Sequence, residues 1–145
     1  MVPVSSTQLT NLLRIGPDFQ LITEAKVGPL LATSRSSQLL NRILESASGT
    51  LVTTLLVEAC LQTSVCLITF DSSIRMPLIH WYEVELKSLF PFHNIQDLSF
   101  HSELGRSNNG MVLTNSNILR GKNTLGSCKA MYTLPLNKLV ETNEF

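Results

Sequence analysis

The hydrophobic period changes half-way along this chain, and that change limits the folds open to it. Between residues 36 and 60, apolar side chains such as Leu39, Leu40 and Ile43 recur at helical spacing. From Leu78 onward, apolar and polar side chains alternate, which is typical of half-buried strands. The sequence therefore predicts an α+β fold, with helices mainly in the N-terminal half and an antiparallel, hairpin-linked β-sheet mainly in the C-terminal half.

Turn signals divide the second half into hairpins. The tripeptide Asn108-Asn109-Gly110 separates two alternating segments, and Asn-Gly tolerates positive φ at both central positions of a tight hairpin. A second turn is expected at Gly121-Lys122-Asn123. A chain of 145 residues fits one domain, so we expect a single α+β domain over residues 1–145.

The apolar stretch from Leu51 to Phe70 has the length of a membrane span, but it also carries Glu58, Gln62 and Ser64. One carboxylate at the centre of a membrane helix costs about 2.5–3.5 kcal/mol. We therefore expect a core helix that is followed by a short buried strand over Val65–Phe70.

The cysteines and the N-terminal sequence bear on the compartment. Cys60, Cys66 and Cys128 form no close pair, and they are expected to be buried free thiols in a reducing compartment, with no cofactor and no metal. No segment near Met1 resembles a signal peptide, which predicts an intracellular, non-secreted protein of unassigned compartment.

Charge is scarce and unevenly distributed. Charged residues make up 15% of the chain and the net charge is zero, a composition that favours self-association, here as a homo-oligomer. No acidic residue occurs between Leu104 and Val140. That segment carries five cations, which are candidate anion-binding residues: Arg106, Arg120, Lys122, Lys129 and Lys138.

These features favour a non-enzymatic, self-associating structural or adaptor protein. Its basic C-terminal face would contact an anionic membrane surface or nucleic acid. The low charge and the many Ser, Thr and Asn residues resemble the composition of small viral structural and accessory proteins. A partner protein is a further expectation, since Trp81, Phe90 and Phe92 are aromatic anchors of the kind found at interface centres.

An alternative function is catalytic. Asp71 is followed after fourteen residues by Glu85 and, two residues later, by Lys87, and this spacing resembles the Asp…Glu-x-Lys signature of restriction-endonuclease-like nucleases. The resemblance implies that Asp71 and Glu85 hold Mg²⁺ or Mn²⁺, that Lys87 positions the attacking water, and that Glu45 or Glu58 completes the set. Glu85 and Lys87 fit equally well on the solvated side of a half-buried strand.

Overall fold

The computed structural model describes residues 1–47, 49–70, 77–87 and 97–134. Its helices are α1 (Ser6–Leu13), α2 (Gln38–Leu44) and α3 (Gly49–Thr69), with a 3₁₀ turn at Pro17–Phe19. Its strands are β1 (Val2–Pro3), β2 (Ile22–Val27), β3 (Leu31–Ser36), β4 (Leu78–Leu86), β5 (Ser99–Asn108), β6 (Met111–Arg120) and β7 (Asn123–Thr133). The strands form one antiparallel sheet in the order β1-β2-β3-β5-β6-β7-β4, which confirms the predicted α+β class.

The long helix α3 packs across one face of this sheet, where it contacts β2, β3, β5, β6 and β7. Fully buried apolar side chains from both layers form the core, among them Leu56 of the helix and Phe100 and Ile118 of the sheet. Apolar burial of this kind contributes about 25 cal/mol per Å². The helix α1 packs on α3 as well, so one element organises most of the domain.

The predicted split of the apolar stretch into a helix and a strand is wrong. The helix α3 continues unbroken to Thr69, because a helix surrounded by other elements needs no polar face. Its threonine hydroxyls bond back along the helix, as in Thr69 to the carbonyl of Val65 at 2.7 Å. The helix is long and apolar enough to cross a membrane, but 67% of its most apolar window is buried inside the domain, as in a core helix.

The hairpin predictions are confirmed. Asn109 and Gly110 join β5 to β6 with φ values of 49° and 78°, as a two-residue turn with two left-handed residues requires. Gly121, with φ of 62°, lies in the turn between β6 and β7. The sheet therefore follows from local turn chemistry over most of its second half.

The strand β4 ends the sheet on one side. It pairs with β7 along one edge, and no other described strand pairs with its second edge. Four large side chains on β4 are exposed: Leu78, Ile79, Trp81 and Tyr82. A nine-residue edge with exposed apolar side chains offers a template for pairing with another strand.

Candidate active site on the core helix

One carboxylate interrupts the burial of α3. After the first turn of this helix, Thr54 and Glu58 are its exposed residues, and both lie with Leu51 and Leu55 on the side that faces away from the sheet. Leu51 is 44% exposed, so the surroundings of the carboxylate are partly apolar. An acidic side chain on an apolar, accessible surface of a core helix is a candidate for chemistry.

Gln62 fixes this carboxylate from the next turn of the helix. Its Nε2 donates a hydrogen bond to Oε1 of Glu58 at 3.3 Å and another to the carbonyl of Phe19 at 2.9 Å. Its Oε1 accepts a hydrogen bond from the backbone N–H of Leu21 at 2.9 Å. Because these contacts use both ends of the amide, its orientation is determined, and Glu58 receives its bond from a fixed donor.

The bond from Gln62 engages one carboxylate oxygen. Within the described residues no other group donates a hydrogen bond to Glu58, so its second oxygen faces solvent. An ionised carboxylate in this position accepts a proton from water or from a bound substrate. The site therefore offers one oriented general base.

A layer of hydroxyl groups lies behind the site, between α3 and the sheet. Ser64 on the helix contacts Ser102 and Ser116 on the sheet, each at 3.2 Å, and those two serines lie 2.6 Å apart. Ser34 contacts Thr63 at 2.8 Å in the same layer. These hydroxyls are buried and satisfy one another, so they fix the helix on the sheet and are not accessible nucleophiles.

Tyr132 closes the layer near Glu58. It is fully buried on β7, and its hydroxyl donates to the carbonyl of Leu61 at 3.4 Å. Burial raises the pKa of Tyr132 well above its ordinary value, and the Glu58 carboxylate adds to that rise. Tyr132 therefore stays neutral in the folded protein and serves as a packed hydrogen-bond donor.

The three cysteines are free and buried, which confirms the prediction made from their spacing. Burial raises the pKa of the Cys66 thiol to about 12. A hydrogen bond with Cys128, together with burial, raises the pKa of Cys60. The same hydrogen bond lowers the pKa of Cys128. All three thiols are buried, and buried thiols are poor nucleophiles, so the cysteines do not form the reactive group.

The nuclease residues do not form a site within the described residues. Glu85 is exposed on β4 opposite Ser127, and Lys87 follows the end of that strand. Asp71 lies outside the described residues. In the described part of the chain no three His, Cys, Asp or Glu side chains lie close enough to hold a metal ion.

The predicted basic face is not continuous. Arg106 lies near the β5–β6 turn, whereas Arg120 and Lys122 lie at the β6–β7 turn. These two turns stand at opposite ends of β6, which is about 30 Å long at 3.3–3.4 Å per residue. Lys129 lies on β7 opposite Glu83, and Lys138 is outside the described residues. Anion binding by these cations stays a prediction.

Of the aromatic anchors, Trp81 is 40% exposed on β4, whereas Phe90 and Phe92 lie outside the described residues. The exposure of Trp81 is compatible with an interface. Because Trp81 is on β4, such an interface would lie at the free edge of the sheet.

Comparisons with solved structures identify the fold. The chain superposes on the dehydratase heterocomplex ApeI:P from Xenorhabdus doucetiae with a TM-score of 0.63 and 11% identity, covering 94% of this chain and 97% of that one. It superposes on thioesterase superfamily member2 from Mus musculus with a TM-score of 0.60 and 9% identity, covering 90% and 97%. It superposes on the putative thioesterase yhdA from Lactococcus lactis with a TM-score of 0.60 and 10% identity, covering 83% of this chain and 97% of that one.

The domain has a hotdog fold. No protein-family model matches its sequence, and no curated protein matches it significantly. Because identities near 10% show the fold alone, the chemistry has to be argued from the residues of this chain. Proteins with the hotdog fold often form dimers or tetramers, but the comparisons give no support for a membrane or nucleic-acid partner.

The hotdog fold corrects both functional interpretations drawn from the sequence. The structural relatives named above are a dehydratase heterocomplex and two thioesterases, one of them putative, so the interpretation as a non-enzymatic viral structural or adaptor protein is wrong. The restriction-endonuclease-like interpretation is wrong for the same reason. The structural-protein interpretation came from composition, and the nuclease interpretation came from the spacing of three residues. Neither feature depends on the fold.

The sequence alone did not indicate that Glu58 is an oriented general base. It presented Glu58 as a residue that opposes membrane insertion and as a candidate fourth nuclease residue, and Gln62 only as a polar residue in an apolar stretch. The useful signal was their spacing of four residues, which places both side chains on one face of a helix.

Proposed function

We propose that this protein hydrolyses acyl thioesters and that Glu58 is the general base. The observation that carries the proposal is the Glu58 carboxylate itself, exposed on the apolar side of the core helix and oriented by Gln62. The apolar neighbours Leu51 and Leu55 would contact the acyl chain, and the carboxylate would lie at its reactive end.

The proposed chemistry requires one acid–base group. The Glu58 carboxylate takes a proton from water as the water oxygen bonds to the thioester carbonyl carbon, which gives a tetrahedral oxyanion. The carbon–sulfur bond then breaks with its electron pair going to sulfur, and the thiolate takes the proton back from Glu58. The products are a carboxylic acid and a thiol, and the carboxylate is regenerated.

Hydrolysis fits this site better than dehydration does. Elimination of water from a 3-hydroxyacyl thioester removes a proton from one carbon and protonates the hydroxyl leaving from the next, and two separate groups generally divide these tasks. Throughout Gly49–Thr69, Glu58 is the exposed ionisable side chain, and the two thiols of this helix are buried. Two structural relatives, the mouse thioesterase superfamily member2 and the putative thioesterase yhdA, support the same choice.

We further propose that the active protein is a homodimer in which β4 of one copy pairs with β4 of the other. The unpaired edge and its exposed Trp81 and Tyr82 support this assembly. A register centred on Tyr82 places Trp81 opposite Glu83. A register centred on Glu83 would place two identical carboxylates directly opposite each other, which is unfavourable.

A thiol-release assay with a series of acyl thioesters from acetyl to decanoyl tests the proposed activity. The proposal expects thiol release that saturates with substrate concentration. A 3-hydroxyacyl thioester tested in parallel separates the two reactions, since dehydration forms an enoyl thioester and releases no thiol. Enoyl formation without thiol release would overturn the hydrolase assignment.

A further inference from the structure

A groove of about 500 Å³ lies where β1, β2, β3 and β5 meet. Its ionisable lining residues are Lys26, Arg35, Glu24 and His101. Glu58 is on the side of α3 that faces away from the sheet, so this groove is separate from the candidate active site. Its volume lies in the range of small-molecule sites.

A β-bulge shapes the groove. The register between β2 and β3 changes between Thr23 and Lys26, where two residues of β2 stand against one residue of β3. At this bulge Glu24 has φ of 49°, a left-handed conformation that is rare for residues other than glycine, asparagine and aspartate. Non-glycine residues held in this region cost of order 1 kcal/mol, and such strain is concentrated at ligand sites.

The sheet register places hydrogen-bond donors side by side on the surface of this groove. Arg35 of β3 stands opposite Ser99 of β5, and in the next row Thr33 of β3 stands opposite His101 of β5. Lys26 of β2 stands on the other side of Thr33. Directly opposed residues of an antiparallel sheet point to the same face, so these side chains share one surface.

The charges of the groove favour an anion. Lys26 and Arg35 are cations, whereas Glu24 is its one carboxylate. Glu24 contacts Arg35 through Oε2 and Nε at 3.7 Å, which is longer than a hydrogen bond and leaves the guanidinium fork available. A guanidinium fork, an ammonium and neighbouring hydroxyls together match the several oxygens of a phosphate group better than the two of a carboxylate.

We propose that this groove binds a compact phosphate-bearing ligand, with Arg35 as the principal contact and Lys26, His101, Thr33 and Ser99 around it. This site is independent of the proposed thioesterase activity, because its lining includes neither Glu58 nor Gln62. The shared chemistry is a phosphate group, which inorganic pyrophosphate presents as a free ion and a nucleoside diphosphate presents within a nucleotide.

Titration of the ¹⁵N-labelled protein with inorganic pyrophosphate tests the proposal, with the ionic strength kept constant with sodium chloride. We expect saturable shifts in the amide signals of residues 23–26, 33–35 and 99–101. A parallel titration with adenosine diphosphate identifies the source: tighter binding than pyrophosphate indicates a nucleotide, and weaker binding indicates the free ion.

Three substitutions decide whether the groove is the site. Arg35→Gln should weaken binding about tenfold or more, because it removes a charged hydrogen-bond donor. Arg42→Gln, on α2 and outside the lining of the groove, should leave the affinity unchanged. Glu24→Gln removes the competing carboxylate and should strengthen binding several-fold.

Shifts that do not saturate, or an equal loss of affinity in Arg35→Gln and Arg42→Gln, would overturn the assignment. Weaker binding in Glu24→Gln would also contradict it. These three residues are exposed, so the substituted proteins are expected to fold.

Discussion

Gln62 donates a hydrogen bond from Nε2 to Oε1 of Glu58 over 3.3 Å, from one helical turn further along α3. The same buried amide holds the carbonyl of Phe19 and the N–H of Leu21, both at 2.9 Å. The residue that orients the proposed base therefore also joins the core helix to the start of β2. Stability and the proposed activity are linked at this position.

Replacement of Gln62 by Leu is expected to lower both the stability of the fold and the proposed activity. The substitution leaves the buried N–H of Leu21 without a partner, which costs about 1–3 kcal/mol of the free energy of unfolding. Urea unfolding followed by circular dichroism measures the loss. The matched control is Gln38→Leu at an exposed position of α2, which should change stability by less than about 0.5 kcal/mol. Equal stability of the two variants would show that the Gln62 contacts are not significant.

Self-association through β4 is expected to place residue 82 of one copy beside residue 82 of the other. In a Tyr82→Cys variant the two thiols would meet at the proposed dimer axis, within the Cα separation of 4.4–6.8 Å that a disulfide needs. Non-reducing electrophoresis after mild oxidation should show a covalent dimer. Leu30→Cys, an exposed residue outside β4, is the control and should form far less of this product. A monomeric mass of the unmodified protein in sedimentation would contradict the β4 interface.

The attachment of β4 to β7 is expected to require a glycine at residue 126. A Cβ atom added to Gly126 would lie 2.8 Å from the carbonyl oxygen of Glu85 and 2.7 Å from Cδ2 of Leu86. Gly126→Ala should therefore displace β4 and increase hydrogen exchange of its amides. Gly16→Ala is the matched control, because no atom lies within 4 Å of the added Cβ there. Unchanged exchange in β4 would show that the strand accommodates the methyl group.

Alkaline pH is expected to destabilise the fold through Cys66. Burial raises the pKa of its thiol to about 12, whereas an unfolded thiol titrates near 8.5. Between these values the unfolded chain has lost a proton that the folded chain retains, so stability falls as pH rises from about 8.5 to 12. Thermal unfolding across this range should show a shallower decline in Cys66→Ala than in the unmodified protein. Identical slopes would rule out this thiol as a cause.

The sequence predicts much of the sheet because its second half is organised by local signals. Asn109 and Gly110 specify a tight hairpin, and the alternation from Tyr82 to Leu86 matches the faces seen in β4. The strand β3 was not predicted, since its inward residues include Ser34 and Ser36, which give no hydrophobic alternation. Those hydroxyls are buried because each has a hydrogen-bond partner: Ser34 bonds with Thr63, 29 positions along the chain, and Ser36 donates to Oδ1 of Asn41.

The unbroken helix α3 could not be predicted from its own pattern. Periodicity distinguishes a helix from a strand only when one side is clearly exposed, and most residues of this helix are buried by the sheet and α1 together. The site could not be predicted from local pattern either. Gln62 is held in place by Phe19 and Leu21, which lie more than 40 positions earlier in the chain, and Glu58 is oriented by Gln62. Such contacts exist only after the sheet has closed around the helix.

The initial rate of thiol release from an acyl thioester by Glu58→Gln, relative to the unmodified protein, tests the central claim most directly. General base catalysis contributes about 10²–10⁴-fold, so we expect a loss in kcat of that size with little change in stability at this exposed residue. Glu103→Gln, an exposed carboxylate on β5, is the matched control and should retain the activity of the unmodified protein. Retained thiol release in Glu58→Gln would contradict the role of Glu58 and the mechanism built on it.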